Sequence, residues 1–158
     1  MKVFISHHKN DSEIAAQIYR QLLLYKVDAY LDVFDNNLAS DSKALTEHLK
    51  DILRNSSDIL VVMSESTKNS QWVPFEIGMA ADQDLPTVTF LYSYITLPEF
   101  LDYWPRLKSI SDIPKYIAAR NERLQEQNVR KNLDSSVEMF SRHISTTEQF
   151  YNRLKATL

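Results

Sequence analysis

Within Ser70-Gln-Trp-Val-Pro-Phe-Glu76 a tryptophan and a glutamate stand four residues apart, at a predicted helix start. An ionised carboxylate there can stabilise positive charge developing on a reacting partner, and a large flat ring beside it can stack on a planar ligand or shield the reaction from water. Pro74 is tolerated in a first helical turn, where backbone N–H groups lack intrahelical partners. The helix is therefore expected to begin between Ser70 and Val73, with Glu76 in that turn and the positive end of the helix dipole favouring its ionised form. The same residues also have a purely structural reading, in which Glu76 complements a helix start and Trp72 fills core.

Other chemistry-bearing residues precede this segment. Ser6, His7 and His8 close an apolar run, Asp32 closes a second one with Phe34 shortly after, and Lys43 opens a helix-like stretch. Lys43 could neutralise a pyrophosphate, although a lone lysine near a loop is usually solvated. Adjacent histidines in a strand-like segment point apart, so metal chelation by His7 and His8 is not expected, and His48 and His143 are assigned no role. Absent cysteine removes disulfides, thiolate zinc sites and a cysteine nucleophile. Gly78 is the sole glycine, so no phosphate-cradling loop can be built, which argues against a dinucleotide redox enzyme or an NTPase. Its place inside a predicted helix suggests close packing of that helix on a sheet.

The elements that must position these residues follow from periodicity. Lys2 to Ser6, Val27 to Asp32, Asp58 to Ser64 and Pro86 to Tyr92 read as buried strands rich in Val, Ile, Phe and Tyr. Between them lie helical patterns: Ile14, Ile18 and Leu22 with an Asn10/Glu13 capping box, then Leu45, Leu49, Ile52 and Leu53. Strands alternating with helices predict a flavodoxin-like three-layer α/β fold around a parallel sheet. In such a fold the loops after the strands, 6–10, 32–42, 64–70 and 92–96, gather at one ligand-binding rim. The aromatic segment Leu97 to Pro105 reads as a packed loop or short helix, with Tyr103 and Trp104 filling core. Helices are expected over Ile113 to about Gln127 and Ser145 to Leu158, the latter with a Ser145/Glu148 capping box, and a break is expected near Asn132.

Composition bounds the function. The 158 residues suit one domain, and 44% apolar with 25% charged residues is ordinary for a globular protein. A net charge of −3 gives no global basicity for nucleic acid, no apolar run reaches membrane-span length, and the N-terminus turns polar too soon for a secretory signal. A cytoplasmic protein with neither nucleic-acid nor membrane partners is expected.

Val3-Phe-Ile-Ser-His7, Tyr30-Leu-Asp-Val33, Asp58-Ile-Leu-Val-Val-Met-Ser64 and Ser70-Gln-Trp72 with Glu76, in that order, resemble a Toll/interleukin-1 receptor (TIR) domain. The resemblance implies a TIR-like domain over residues 1–119, followed by a helical extension, 120–158, packed on it. Trp72-x-x-x-Glu76 is similar to the signature of TIR domains that consume NAD, which implies Glu76 as the catalytic residue. His7, His8 and Asp32 stand where relatives contact the nucleotide; with Ser6, Lys43 and the rings of Trp72 and, behind it, Phe34 and Tyr92, they are the expected substrate contacts, NAD being a substrate, with no cofactor or metal. It further implies that the loop from Val33 to Ser42, which lacks the glycine many relatives carry there, serves self-association and covers the nucleotide. By similarity to small bacterial members, the product would be a cyclic or modified ADP-ribose that signals to a separate effector in antiviral immunity. Two alternatives stay open: a non-catalytic TIR–TIR scaffold, and a nucleoside-processing enzyme of related fold.

Overall fold

The structure is a computed structural model that describes residues 1–31, 42–97, 99–133 and 146–158. Asp32, Phe34, His143, Ser145 and nearly all of the Val33–Ser42 loop lie outside the described residues. Five strands form one parallel sheet: β1 (Lys2–Ser6), β2 (Asp28–Leu31), β3 (Asp58–Met63), β4 (Thr87–Leu91) and β5 (Arg106–Leu107), in the order β2-β1-β3-β4-β5. This is the flavodoxin-like order, whose switch point lies between β1 and β3. Val3 pairs with Asp58 and Ser6 with Val61, so the carboxyl ends of the two central strands meet at one rim. All six residues of β3 are buried, as a strand covered on both faces must be, and this is why its sequence is an unbroken apolar run.

Among the described residues six α-helices cover the sheet: α1 (Ser12–Leu24), α2 (Ser42–Arg54), α3 (Glu65–Lys68), α4 (Trp72–Asp82), α5 (Ile113–Leu133) and α6 (Thr146–Thr157). α2 touches α4 on one face, while α1, α5 and α6 form the other layer. α1 buries Ile14, Ala15, Ile18 and Leu22, the predicted stripe. The expected Asn10/Glu13 capping box is absent: a single helical turn at Lys9–Asp11 precedes α1, and the Asn10 amide donates to Ser66 Oγ instead. β5 is only two residues long, too short for an alternation pattern to reveal. The segment before it holds a helical turn at Glu99–Leu101; Trp104 is buried as expected, whereas Tyr103 is 55% exposed and does not fill core. α5 runs unbroken through Asn132.

Gly78 does not mark close packing. It is exposed, and among the described residues a Cβ built on it meets no heavy atom of another element within 4 Å. The chain instead places Lys26, Asp84 and Ser93 in the left-handed backbone region that favours glycine, at φ 59°, 53° and 78°. Lys26 and Asp84 sit just past α1 and α4. There Lys26 N–H donates to Leu23 and Val27 N–H to Leu22, and Asp84 N–H and Leu85 N–H repeat the motif on Ala81 and Ala80.

At the amino-terminal end of β3 the buried carboxylate Asp58 is enclosed by hydrogen bonds from Arg120 Nε at 2.7 Å, Tyr116 Oη at 3.1 Å and Ser57 Oγ at 2.8 Å. Burial pushes its carboxyl up, and Arg120, Ser57 and Tyr116 pull against that shift. The Arg120 guanidinium also lies 5.6 Å from the Phe150 ring centroid. α6 thereby joins the core: it buries Phe150, Tyr151 and Leu154, and Tyr151 Oη accepts from the Thr87 backbone at 2.7 Å.

Candidate active site at the sheet rim

Ser6 ends β1 and Glu76 belongs to α4, and the Ser6 hydroxyl donates to Glu76 Oε2 with both residues fully buried. α4 starts at Trp72 because Ser70 Oγ accepts the backbone N–H groups of Trp72 and Val73 at 3.2 and 3.3 Å. Glu76 is consequently the fifth helical residue, and no acidic residue lies in the first turn. The expected dipole stabilisation of Glu76 is thus weakened, since that effect fades within one turn.

Trp72 is half-buried and reaches the rim, its ring centroid 5.4 Å from that of Phe75. With His8, Thr46, Asn69, Ser70 and Gln71 these two rings line an open cleft of about 670 Å³. Phe75 is 42% exposed, and nothing in its sequence setting sets it apart from a core aromatic. Glu76 is not among the cleft-lining residues; its carboxylate lies beneath the helix surface. His7 is buried, its Nε2 3.4 Å from Ser12 Oγ, while His8 Nδ1 accepts the Asn10 N–H at 3.1 Å and so has its ring oriented at the cleft edge. Lys43 is exposed in the first turn of α2 and lies outside the cleft; its positive charge acts on Glu47.

Asp11 fixes the shape of this rim. Its buried carboxylate accepts from Ser64 Oγ at 2.6 Å and Thr67 Oγ1 at 3.1 Å, tying the turn after β1 to α3. Ser64 in turn caps α3 by accepting the N–H groups of Ser66 and Thr67, both at 3.1 Å. Nothing in the polar run Lys9-Asn-Asp-Ser-Glu13 distinguishes Asp11 beforehand. Among the described residues no cluster of His, Cys, Asp or Glu could hold a metal ion. The arrangement offers a buried acid behind an aromatic cleft, built at the β1/β3 switch point.

The family pattern described as the TIR domain matches residues 3–133. The chain belongs to the TIR domain family. Its TIR fold is similar to the crystal structure of the TIR domain of the Toll-related receptor TRR-2 from Hydra magnipapillata, with 18% identity and a TM-score of 0.55 over 66% of this chain and 82% of that one. The TIR domains of the activated Roq1 resistosome, which directly recognises the pathogen effector XopQ, align over 99% of both chains with 16% identity and a TM-score of 0.49. No curated protein matches the sequence. Helix α6 lies beyond the matched residues of the TIR pattern, and no helix among the described residues is long and apolar enough to cross a membrane.

Proposed function

We propose that this TIR domain cleaves the bond between nicotinamide and ribose in NAD, and that Glu76 stabilises the ribosyl cation that forms. The observation that carries this reading is the buried Glu76–Ser6 pair at the β1/β3 switch point, directly behind the cleft walled by Trp72 and Phe75. In the reaction the glycosidic C–N bond breaks with its electron pair going to the nicotinamide nitrogen, so a cationic ring leaves as a neutral molecule. The transition state is oxocarbenium-like and is served by an ionised carboxylate close to the ribose. Trp72 and Phe75 supply flat apolar surface for the base, and His8 supplies a polar edge. Because Glu76 is beneath the surface, catalysis requires the rim to open.

The ribosyl carbon is then attacked either by water, giving ADP-ribose and a proton, or by an atom of the same nucleotide, giving a cyclic or otherwise modified ADP-ribose. Exclusion of water favours the second course. The reading extends to a signalling product for a separate effector in antiviral immunity, supported by the resemblance to small bacterial TIR proteins, and to self-association through residues 33–42. A second reading is favoured by one observation: the complete burial of Glu76 and its absence from the cleft wall fit a non-catalytic TIR–TIR module equally well. Chromatography of NAD incubated with the purified chain over a wide protein concentration range separates the two. Release of nicotinamide, with specific activity rising as concentration rises, supports the enzyme; intact NAD at every concentration favours the module.

A further inference from the structure

The end of the sheet opposite Glu76 carries a second cavity. Among the described residues it encloses about 600 Å³ where the chain enters β4 and β5, and α6 forms one wall. That volume is in the range of small-ligand sites. Because α6 lies beyond the residues 3–133 that match the TIR pattern, the cavity is not something that pattern describes. Its inner wall is aromatic. Trp104 and Tyr151 are 4% and 7% exposed, and the ring of Tyr103, turned toward solvent, approaches both, at centroid distances of 5.0 and 6.2 Å. The Tyr103 plane is inclined by 51° to that of Trp104 and by 61° to that of Tyr151, so the rings meet as a corner and not as a stack. Two exposed carboxylates, Asp84 and Glu148, line the same cavity.

We propose that this cavity binds a small organic cation, an alkylated ammonium whose head rests against the rings. Inclined rings can surround a cation from more than one side, and each face attracts it through the ring quadrupole. Alkyl groups on the nitrogen fit an aromatic wall because they shed water cheaply, whereas a bare ammonium or metal ion holds its hydration. Charge favours the same ligand. Asp84 and Glu148 stand against one lining cation, Lys155, whose Nζ donates to the Asp102 carbonyl at 3.2 Å. The Asp84 carboxylate is held in position by its backbone: Asp84 N–H donates to the Ala81 carbonyl at 3.1 Å where α4 ends, and its φ of 53° is one that aspartate tolerates. A phosphate-bearing ligand would be repelled by these acids, so the cavity is not a second nucleotide site. The proposal does not rest on any chemistry at Glu76 or on contact between copies of the chain.

Titration of the isotope-labelled full chain with choline, followed by nuclear magnetic resonance through the indole N–H signals of its two tryptophans, tests the proposal. Choline should shift the Trp104 signal saturably and leave that of Trp72, at the other end of the sheet, in place. The neutral analogue of choline, in which carbon replaces nitrogen, has the same shape without the charge and should bind at least about tenfold more weakly. Tyr103→Ala should raise the choline dissociation constant about fivefold or more, while Tyr103→Phe, which keeps the ring face, should leave it near wild type. Asp84→Asn keeps the backbone conformation, removes one charge and should raise it about threefold. Both side chains are exposed, so thermal unfolding of these variants should stay close to that of wild type. A Trp104 signal that choline does not move would overturn the proposal. Equal affinity for the neutral analogue would do so too, as would unchanged choline affinity in both Tyr103→Ala and Asp84→Asn.

Discussion

Two carboxylates are buried at opposite ends of the same sheet, and their surroundings differ in kind. Asp58, at the amino end of β3, is enclosed by a guanidinium, a phenol and a hydroxyl on elements that pack into the main core. Glu76, at the carboxyl rim, takes a hydrogen bond from the Ser6 hydroxyl behind an open cleft. A charge matched to a rigid partner is committed to holding the fold. Burial is common to both acids; what supports Glu76 for the proposed chemistry is its place at the carboxyl rim of the sheet, where folds of this kind bind ligands.

The contrast breaks most severely at Asp58. Asp58→Ala leaves Arg120 buried without its carboxylate and should cost about 3–5 kcal/mol of stability in urea unfolding. A loss under about 1 kcal/mol would mean that the network is not structural. Tyr116→Phe removes a single neutral donor from the same carboxylate and should cost about 1–2 kcal/mol. At the rim, Ser6→Ala likewise removes a single neutral donor and should cost about 1–2 kcal/mol, while lowering nicotinamide release per folded molecule about tenfold, because the carboxylate loses the group that orients it. Unchanged turnover per folded Ser6→Ala molecule would erase the difference between the two ends.

Two smaller effects sharpen the comparison. Gly78→Ala should stabilise dilute protein by about 0.5–1 kcal/mol, since α4 gains a helix former and the new methyl meets no atom. This effect should leave the Asp58 end untouched. The smallest concerns acid. Asp112, which closes the turn leading into α5, is pushed up by burial, but bonds from Lys115, the Lys108 backbone and Ser109 outweigh this and hold its carboxyl below its ordinary 3.8. A depressed acid contributes stability that is present above its unfolded value and is lost as pH falls through the folded one. Asp112→Asn should therefore flatten the decline in stability below about pH 3.8 in acid titrations followed by circular dichroism.

Much of the fold was legible because strands buried on both faces are written as unbroken apolar runs, as in Ile59 to Met63, and because α1 carries a clean helical stripe. The features that escaped share a cause: they depend on partners distant in sequence or on space. Ser6 and Glu76 meet across a separation of 70 residues, and Asp11 finds Ser64 and Thr67 across separations of 53 and 56. Periodicity is blind to both. Phe75, between Trp72 and Glu76, looks in sequence like one more core aromatic, although it is the ring that α4 turns toward solvent. A helical glycine ordinarily signals close internal packing, and Gly78 departs from that rule because no other element among the described residues comes within 4 Å of the place its Cβ would take. Tyr103 carries the same aromatic signal as Trp104, yet just one of the two rings turns inward.

The most direct test of the contrast is nicotinamide release from NAD by Glu76→Gln and Asp58→Asn side by side with wild type, each variant's folded fraction fixed by urea unfolding. Glu76→Gln keeps shape and hydrogen-bonding reach but removes the charge. It should fold with near-wild-type stability and lose release on the order of a hundredfold or more, while Asp58→Asn should lose stability and retain turnover per folded molecule. Nicotinamide release by Glu76→Gln at the wild-type rate would contradict the account.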